Sequence, residues 1–209
     1  MSYGQYPGKL LEVKPLPNDL NYDIYSSLIG LLATNGASLQ LGYMWFWDYS
    51  TVYLRLSHPN PVFLTWLVNY FQSPGFNFQG KYSNKVSSSN SIQVGSLPSI
   101  LCYILWLHWN EQGVNVFPLH FAHYFSIRTL AFWAMRNGQW TGNSFLIHVG
   151  GLNDSEKAEL MSLIKNKLGF DSRLTMKMSK LAISNPSALV EQLKPFFHSS
   201  QMHRLEKRS

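Results

Sequence analysis

Two helix-like segments of this 209-residue chain end in the same dipeptide, 102 residues apart: Asn35-Gly36 in LIGLLATNG and Asn137-Gly138 in LAFWAMRNG. A helix that stops at a defined residue aims its last side chain at whatever lies beyond, so both asparagines are placed to act. An amide is neither acid nor base. It can lend one oxygen to a cation but brings no charge to hold it. The preceding residues, Thr34 and Arg136, add no carboxylate. Taken singly, each Asn-Gly is an ordinary way to end a helix. His120 and His123 in HFAH could form a pair of metal ligands but read as linker histidines. The chain has no G-x-S-x-G, P-loop or paired-cysteine motif. The remaining groups with chemical potential are cations on strand-like or hairpin segments: Arg55, Lys81, Lys85, Arg173, Lys177 and Lys180. Cations so placed can contact the backbone of a polyanion without any metal.

The bulk numbers bound what can position these groups. With 45% apolar and 13% charged residues, the chain can bury sizeable cores. The single cysteine, Cys102, excludes a disulfide framework and a cysteine-based zinc site and fits a reducing compartment. The apolar runs near 62–71 and 99–107 are too short to span a bilayer, so no membrane partner is expected. The opening residues read as neither a signal peptide nor an Arg-rich presequence. The formal charge of +6 is uneven: residues 1–100 carry a net +1 and residues 101–209 a net +5. No acid occurs in residues 51–110, an apolar stretch expected to pack on something else.

Periodicity supplies the elements. After an extended lead over 1–20, a helix capped by Asn21 runs to Asn35-Gly36 with Leu28, Leu31 and Leu32 on its apolar stripe. Strands follow over about 37–47 and 51–57, the second alternating Val52, Leu54 and Leu56 against Thr51, Tyr53 and Arg55. A helix with Pro61 in its first turn, a hairpin bearing Lys81 and Lys85, and the helix LPSILCYILWLHW complete this half. The second half repeats the order. Helix 126–137 leads through a tight turn to the strand SFLIHV. A helix capped at Asn153 or Asp154 then ends at Gly169. SRLTMKMS reads as one strand, with Leu174, Met176 and Met178 in the core and Arg173, Thr175 and Lys177 on the open face. A last helix stops near Pro195, followed by the basic tail HRLEKRS. The order helix-strand-strand-helix-strand-strand-helix thus appears twice. The expected division is a lead (1–20), a first repeat (21–110), a linker (111–125) and a second repeat with its tail (126–209).

On these residues the chain resembles the LAGLIDADG homing endonucleases, and LAFWAMRNGQW tracks the branch whose second motif reads LAYWFMDDGSW. The downstream segments LNDSEKAELMSLIKNKLGF and LAISNPSALVEQLKPFFHSSQMHRL fit the same family, and the resemblance covers roughly 20–205. It implies an α+β fold of two pseudo-twofold αββαββα repeats. Their motif helices pack together, through small residues such as Gly30 and Ala131, and their sheets form a saddle for a duplex. Phe132 departs from the compact pattern of that helix pair. The resemblance also implies a carboxylate at the end of each motif helix, sharing divalent cations that stabilise the attacking and leaving oxygens at the scissile phosphates. Both matching positions here are amides, Asn35 and Asn137.

From those amides the reading expects nuclease activity to be lost, with no metal and no cofactor. It expects a monomer that binds RNA, ribosomal or intronic, through Arg55, Lys81, Lys85, Arg173, Lys177 and Lys180. The low charge of the first half favours RNA over duplex DNA, and a tail held by a partner favours a subunit of a large complex. The expected role is structural, in an organellar ribonucleoprotein such as the mitochondrial ribosome. The alternatives are a group I intron splicing cofactor, an active LAGLIDADG DNA endonuclease, and a scaffold that binds only proteins.

Overall fold

In the computed structural model, residues 21–34, 36–41, 52–72, 76–78, 91–111, 114, 115, 117, 121–177 and 179–207 are described. Asn35, Lys81, Lys85, His120 and Met178 lie outside them, as do Thr51 and residues 1–20.

The two motif helices, α1 (Tyr22–Leu32) and α5 (Ile127–Asn137), form the spine. Asn21 caps α1 by accepting from the Ile24 N–H, and Ser126 and Thr129 form a reciprocal capping box on α5. These caps fix where each helix begins and so which residues face the partner. Gly30 makes the close approach possible. A β-carbon there would lie 2.2 Å from the Thr129 carbonyl oxygen and 3.0 Å from the Trp133 backbone nitrogen. The seam is polar at its start, where the Ser26 hydroxyl meets Ser126 at 2.5 Å and Thr129 at 2.8 Å. Arg128 closes the same end with an ion pair to Asp23 at 2.9 Å. Farther along, Ala131, Trp133 and Ala134 are fully buried. Phe132 does not wedge the helices apart. Its ring lies against Trp66, Tyr70 and Phe71 of α2 (Pro61–Gln72).

Each helix feeds an antiparallel sheet, and the two sheets form a saddle. Strands β1 (Ala37–Leu41), β2 (Val52–His58) and β3 (Ile92–Gly95) pair in that order. Strands β6 (Gly138–Thr141), β7 (Ser144–His148), β8 (Ser172–Leu174) and β9 (Lys180–Ile183) pair in the order β6-β7-β9-β8. Val52, Leu54 and Leu56 are fully buried, as the period-2 rule requires, and Tyr53 and Arg55 take the other face. In the second sheet Phe145 and Ile147 are buried opposite Ile183 and Leu181. Helix α2 and α3 (Ile100–Trp109) cover the first sheet, and α6 (Asp154–Leu163) and α7 (Pro186–Leu193) belong to the second half. Asn153, not Asp154, caps α6. A π-helical turn over Ile164–Leu168 follows, and Gly169 ends it at φ +79°, which glycine adopts without a steric penalty.

Four local features differ from, or add to, the elements expected from the sequence. SRLTMKMS is not one strand: β8 stops at Leu174, the chain turns at Met176 and Lys177, and it returns as β9. Thr175 N–H donates to the Lys180 carbonyl at 2.9 Å and closes this hairpin. Met176 is therefore fully exposed at 104%, not in the core. Alternation persists in the sequence after the strand has ended, because a period-2 pattern does not mark a reversal. Second, α5 does not end in a turn. Gly138 has φ −82° and ψ 151° and opens β6 directly, while the tight turn falls at Gly142 and Asn143. Glycine is needed at 138 for space, since a β-carbon would meet the Ala134 carbonyl oxygen at 2.6 Å. Third, between the halves the chain forms a small ladder, β4 (Asn110–Glu111) with β5 (Val114–Asn115), and a short helix, α4 (Phe121–Tyr124). Lys167 reaches from the π turn to the carbonyls of Ala122, His123 and Phe125 around the end of α4. Fourth, the C-terminal segment docks on its own chain. A 3-10 turn over Ser199–Arg204 buries Gln201, Leu205 is buried after it, and Arg204 donates to the Gly138 carbonyl at 3.2 Å.

Candidate nucleic-acid interface

The open faces of the sheets follow from register and alternation. On the first sheet Ser38, Gln40, Tyr53, Arg55 and Gln93 share the face away from the core. Arg55 Nη1 and the Tyr53 hydroxyl both donate to Gln40 Oε1, at 2.8 and 3.0 Å. This holds Arg55 flat along the sheet. On the second sheet His148 pairs with Lys180, and Leu146 pairs with Ala182, which pairs with Arg173. Arg173 and Lys180 are exposed on one open face. Lys177 belongs to the hairpin turn beyond them. The structure thus brings Arg173 and Lys180 together, leaves Arg55 on the other sheet, and places Lys177 at the hairpin tip.

Where the sheets meet the ends of the motif helices there is a cavity of about 390 Å³. Its polar lining includes Thr34, Ser38, Gln40, Asn137, His148 and Glu156. Thr34 is tied back to its own helix, donating to the Leu31 carbonyl at 2.9 Å. The Glu156 carboxylate accepts from the Phe117 N–H at 2.9 Å and from the Asn153 N–H at 2.8 Å. Sequence reasoning found Asn137 but missed His148, Gln40 and Glu156. The signal for His148 was present, since alternation through SFLIHV puts Ser144, Leu146 and His148 on one face. Glu156 had a capping signal only. Of the two HFAH histidines, His123 is exposed on α4, with its ring edge-on to Tyr22 and Tyr124.

The described residues do not by themselves complete a site for the divalent cations that the fold implies at this place, and the other helix end, at Asn35, lies outside them. Such ions take several charged oxygen ligands. The described helix end offers the neutral amide of Asn137, and Glu156 already accepts two backbone N–H groups. Among the described residues no group of three or more His, Cys, Asp or Glu side chains could hold a metal ion. Arg136 adds a positive charge beside Asn137, and burial lowers its pKa below the ordinary arginine value.

Arg136 also acts on His58, the buried last residue of β2. Burial chiefly, and then the charge of Arg136, hold the His58 imidazole down to about 4. The Asn60 N–H donates to His58 Nδ1 at 3.0 Å, and His58 Nε2 is buried without a hydrogen-bond partner among the described residues. An unfolded chain takes up a proton at histidine near pH 6.5, whereas the folded chain resists until about 4. Stability is therefore complete above pH 6.5 and falls as the pH drops towards 4. The expected loss is about 2 kcal/mol between pH 6.5 and 5. Denaturation across this window should show the slope in the wild type, and His58→Gln should flatten it. An equal slope in both proteins counts against this coupling.

Two helices that meet through a glycine and deliver two sheets to a common saddle define a two-repeat α+β architecture. Residues 50–193 match the LAGLIDADG DNA endonuclease family, and the chain belongs to it. No curated protein sequence matches the chain. Among solved structures, the homing endonuclease I-WcaI bound to its DNA recognition sequence superposes with a TM-score of 0.70 at 15% identity, covering 99% of this chain and 96% of that one. An I-DmoI variant in complex with its target DNA in the presence of 2 mM Mn gives 0.53 at 12% identity, covering 90% and 100%. Full-length DUF199/WhiA from Thermatoga maritima gives 0.50 at 11% identity, covering 91% and 60%. At these identities the likeness is one of fold.

These findings overturn three expectations. The sequence leads one to expect an RNA-binding protein, a subunit of an organellar ribonucleoprotein, and the loss of nuclease activity. The family is one of DNA endonucleases, and I-WcaI and I-DmoI are held on DNA. The RNA reading rested on the net +1 of the first half, but net charge does not define the shape of a ligand. The partner-held tail is replaced by a tail that packs on α2, α5 and β6. Loss of activity was argued from two amides, and two residue identities do not outweigh a family match over residues 50–193. Among the described residues no helix is long and apolar enough to cross a membrane.

Proposed function

We propose that the protein recognises a long duplex-DNA site along its saddle and acts on it as an endonuclease of this family. The observation that carries this reading is the fold shared over 99% of the chain with a homing endonuclease bound to its recognition sequence. The two open faces, one per half, would follow the duplex on either side of its centre. The α1–α5 seam holds the two faces at a fixed angle. Arg173 and Lys180 would meet backbone phosphates on the second half, and Arg55 on the first. Arginine suits phosphate through its planar fork and lysine as a mobile charge. Lys81, Lys85 and Lys177 are further candidates for the same work. Strand scission would take place at the cavity beneath the helix ends.

Selection from a randomised duplex library tests this. The expected result is enrichment of one long DNA sequence over RNA of the same length. Arg173→Ala with Lys180→Ala should weaken binding across all sequences and flatten the slope of log K against log salt by about one to two units. Both side chains are exposed, so the fold should be unchanged. With Mg²⁺ or Mn²⁺ the enriched duplex should be cut near its centre, and Asn137→Asp, which restores a carboxylate at the helix end, should raise the yield. No DNA binding, or a preference for RNA, overturns the reading.

A further inference from the structure

We infer that His148 donates its Nε2 hydrogen to a backbone phosphate at the centre of the bound duplex. This rests on the reading that the protein binds duplex DNA. His148 is the last residue of β7, exposed, on the open face and at the rim of the central cavity that it shares with Asn137. Its backbone is held by α5, because Trp133 Nε1 donates to the His148 carbonyl at 3.1 Å. Its ring is held by Gly150, whose N–H donates to Nδ1 at 3.4 Å. With Nδ1 accepting, the neutral imidazole carries its proton on Nε2, so this nitrogen is a donor in either protonation state.

Gly150 has a second part in this. A β-carbon there would come within 2.8 Å of His148 Cε1 and 3.2 Å of Nε2. The absent side chain therefore leaves the space the imidazole occupies. Lys180 lies directly across the strand pair and adds positive charge to the same face. Among the described residues no carboxylate forms an ion pair with His148. Glu156, the acid lining the cavity, is engaged by the N–H groups of Phe117 and Asn153. A ring with a fixed donor and a neighbouring cation suits a phosphate oxygen.

The test uses the full-length protein, the selected duplex, and a series of duplexes with one central phosphate replaced by an uncharged methylphosphonate. For the wild type, replacement at one or two central linkages should weaken binding by about tenfold, the size of a hydrogen bond to a charged group. His148→Ala should lose about tenfold on the unmodified duplex and become insensitive to the substitution at those linkages. Gly150→Ala keeps the imidazole but displaces it, and should behave in the same way. Denaturation midpoints should match the wild type, since the His148 ring is exposed. If His148→Ala binds as tightly as the wild type, or binds more weakly with an unchanged methylphosphonate profile, the inference is wrong. If the wild type binds no duplex, the DNA reading itself fails, which is a separate result.

Discussion

Gly30→Leu is expected to lower stability by about 3 kcal/mol, the upper end of the usual cost of overpacking a core. The obstacle is backbone, not the tip of a flexible side chain. A β-carbon at position 30 would lie 2.2 Å from the Thr129 carbonyl oxygen and 3.1 Å from the Phe132 β-carbon. Neither α1 nor α5 can yield without shifting the whole seam. Gly30→Ala separates this account from a simple helix-propensity argument. In an unobstructed helix, replacing glycine by alanine stabilises by roughly 0.5–1 kcal/mol. Here it should destabilise, because the first added carbon already collides. Denaturant unfolding with an unchanged m-value would report both effects. A midpoint at or above the wild-type value for Gly30→Ala would show that the helices do not approach as described.

Phe132→Ala should cost about 3–5 kcal/mol, the range for deleting a buried aromatic ring. Phe132 is 1% exposed, and its ring lies 5.2 to 6.3 Å, centroid to centroid, from Tyr70, Trp66 and Phe71. It is the point at which the first half's α2 locks onto the second half's motif helix. The Tyr70 hydroxyl extends the contact, meeting the Ser27 hydroxyl at 2.9 Å and accepting from Arg128 Nη1 at 3.3 Å. Phe132→Leu should recover most of the loss, since it restores apolar volume without the ring. A loss below about 1 kcal/mol for Phe132→Ala would mean that the site collapses freely and that α2 does not clamp α5.

The motif helices were legible because their signals are local. The Asn21 cap and the apolar stripe of Leu28 and Leu31 are read within a dozen residues, and the same Asn-Gly ending then recurs 102 residues on. The alternation of Val52, Leu54 and Leu56 was legible for the same reason, since one buried face imposes period 2. Met176 misled by the same rule. Nothing in SRLTMKMS marks the reversal that makes it a hairpin, because that reversal is set by the pairing of Arg173 with Ala182 and Leu174 with Leu181. The candidate site was half visible. Asn137 stood out by its place in a repeat, whereas His148, Gln40 and Glu156 come from three separate segments that only the folded chain brings to one cavity.

Glycine at 30 was apparent from residue types alone as a place where helices can meet, but a residue type cannot say how near the partner comes. That distance depends on where the Thr129 carbonyl falls, and the Ser126–Thr129 capping box determines this from the other half of the chain. The sequence by itself determined the two motif helices, their pairing and the family resemblance, because caps and stripes are short-range patterns that can be read at each helix and then compared. The tertiary structure alone decided that Phe132 turns to α2, that the tail docks on its own chain, and that His148 and Glu156 line one cavity with Asn137. Those facts are contacts between distant segments, and their free energy comes from shape and burial that no local pattern encodes.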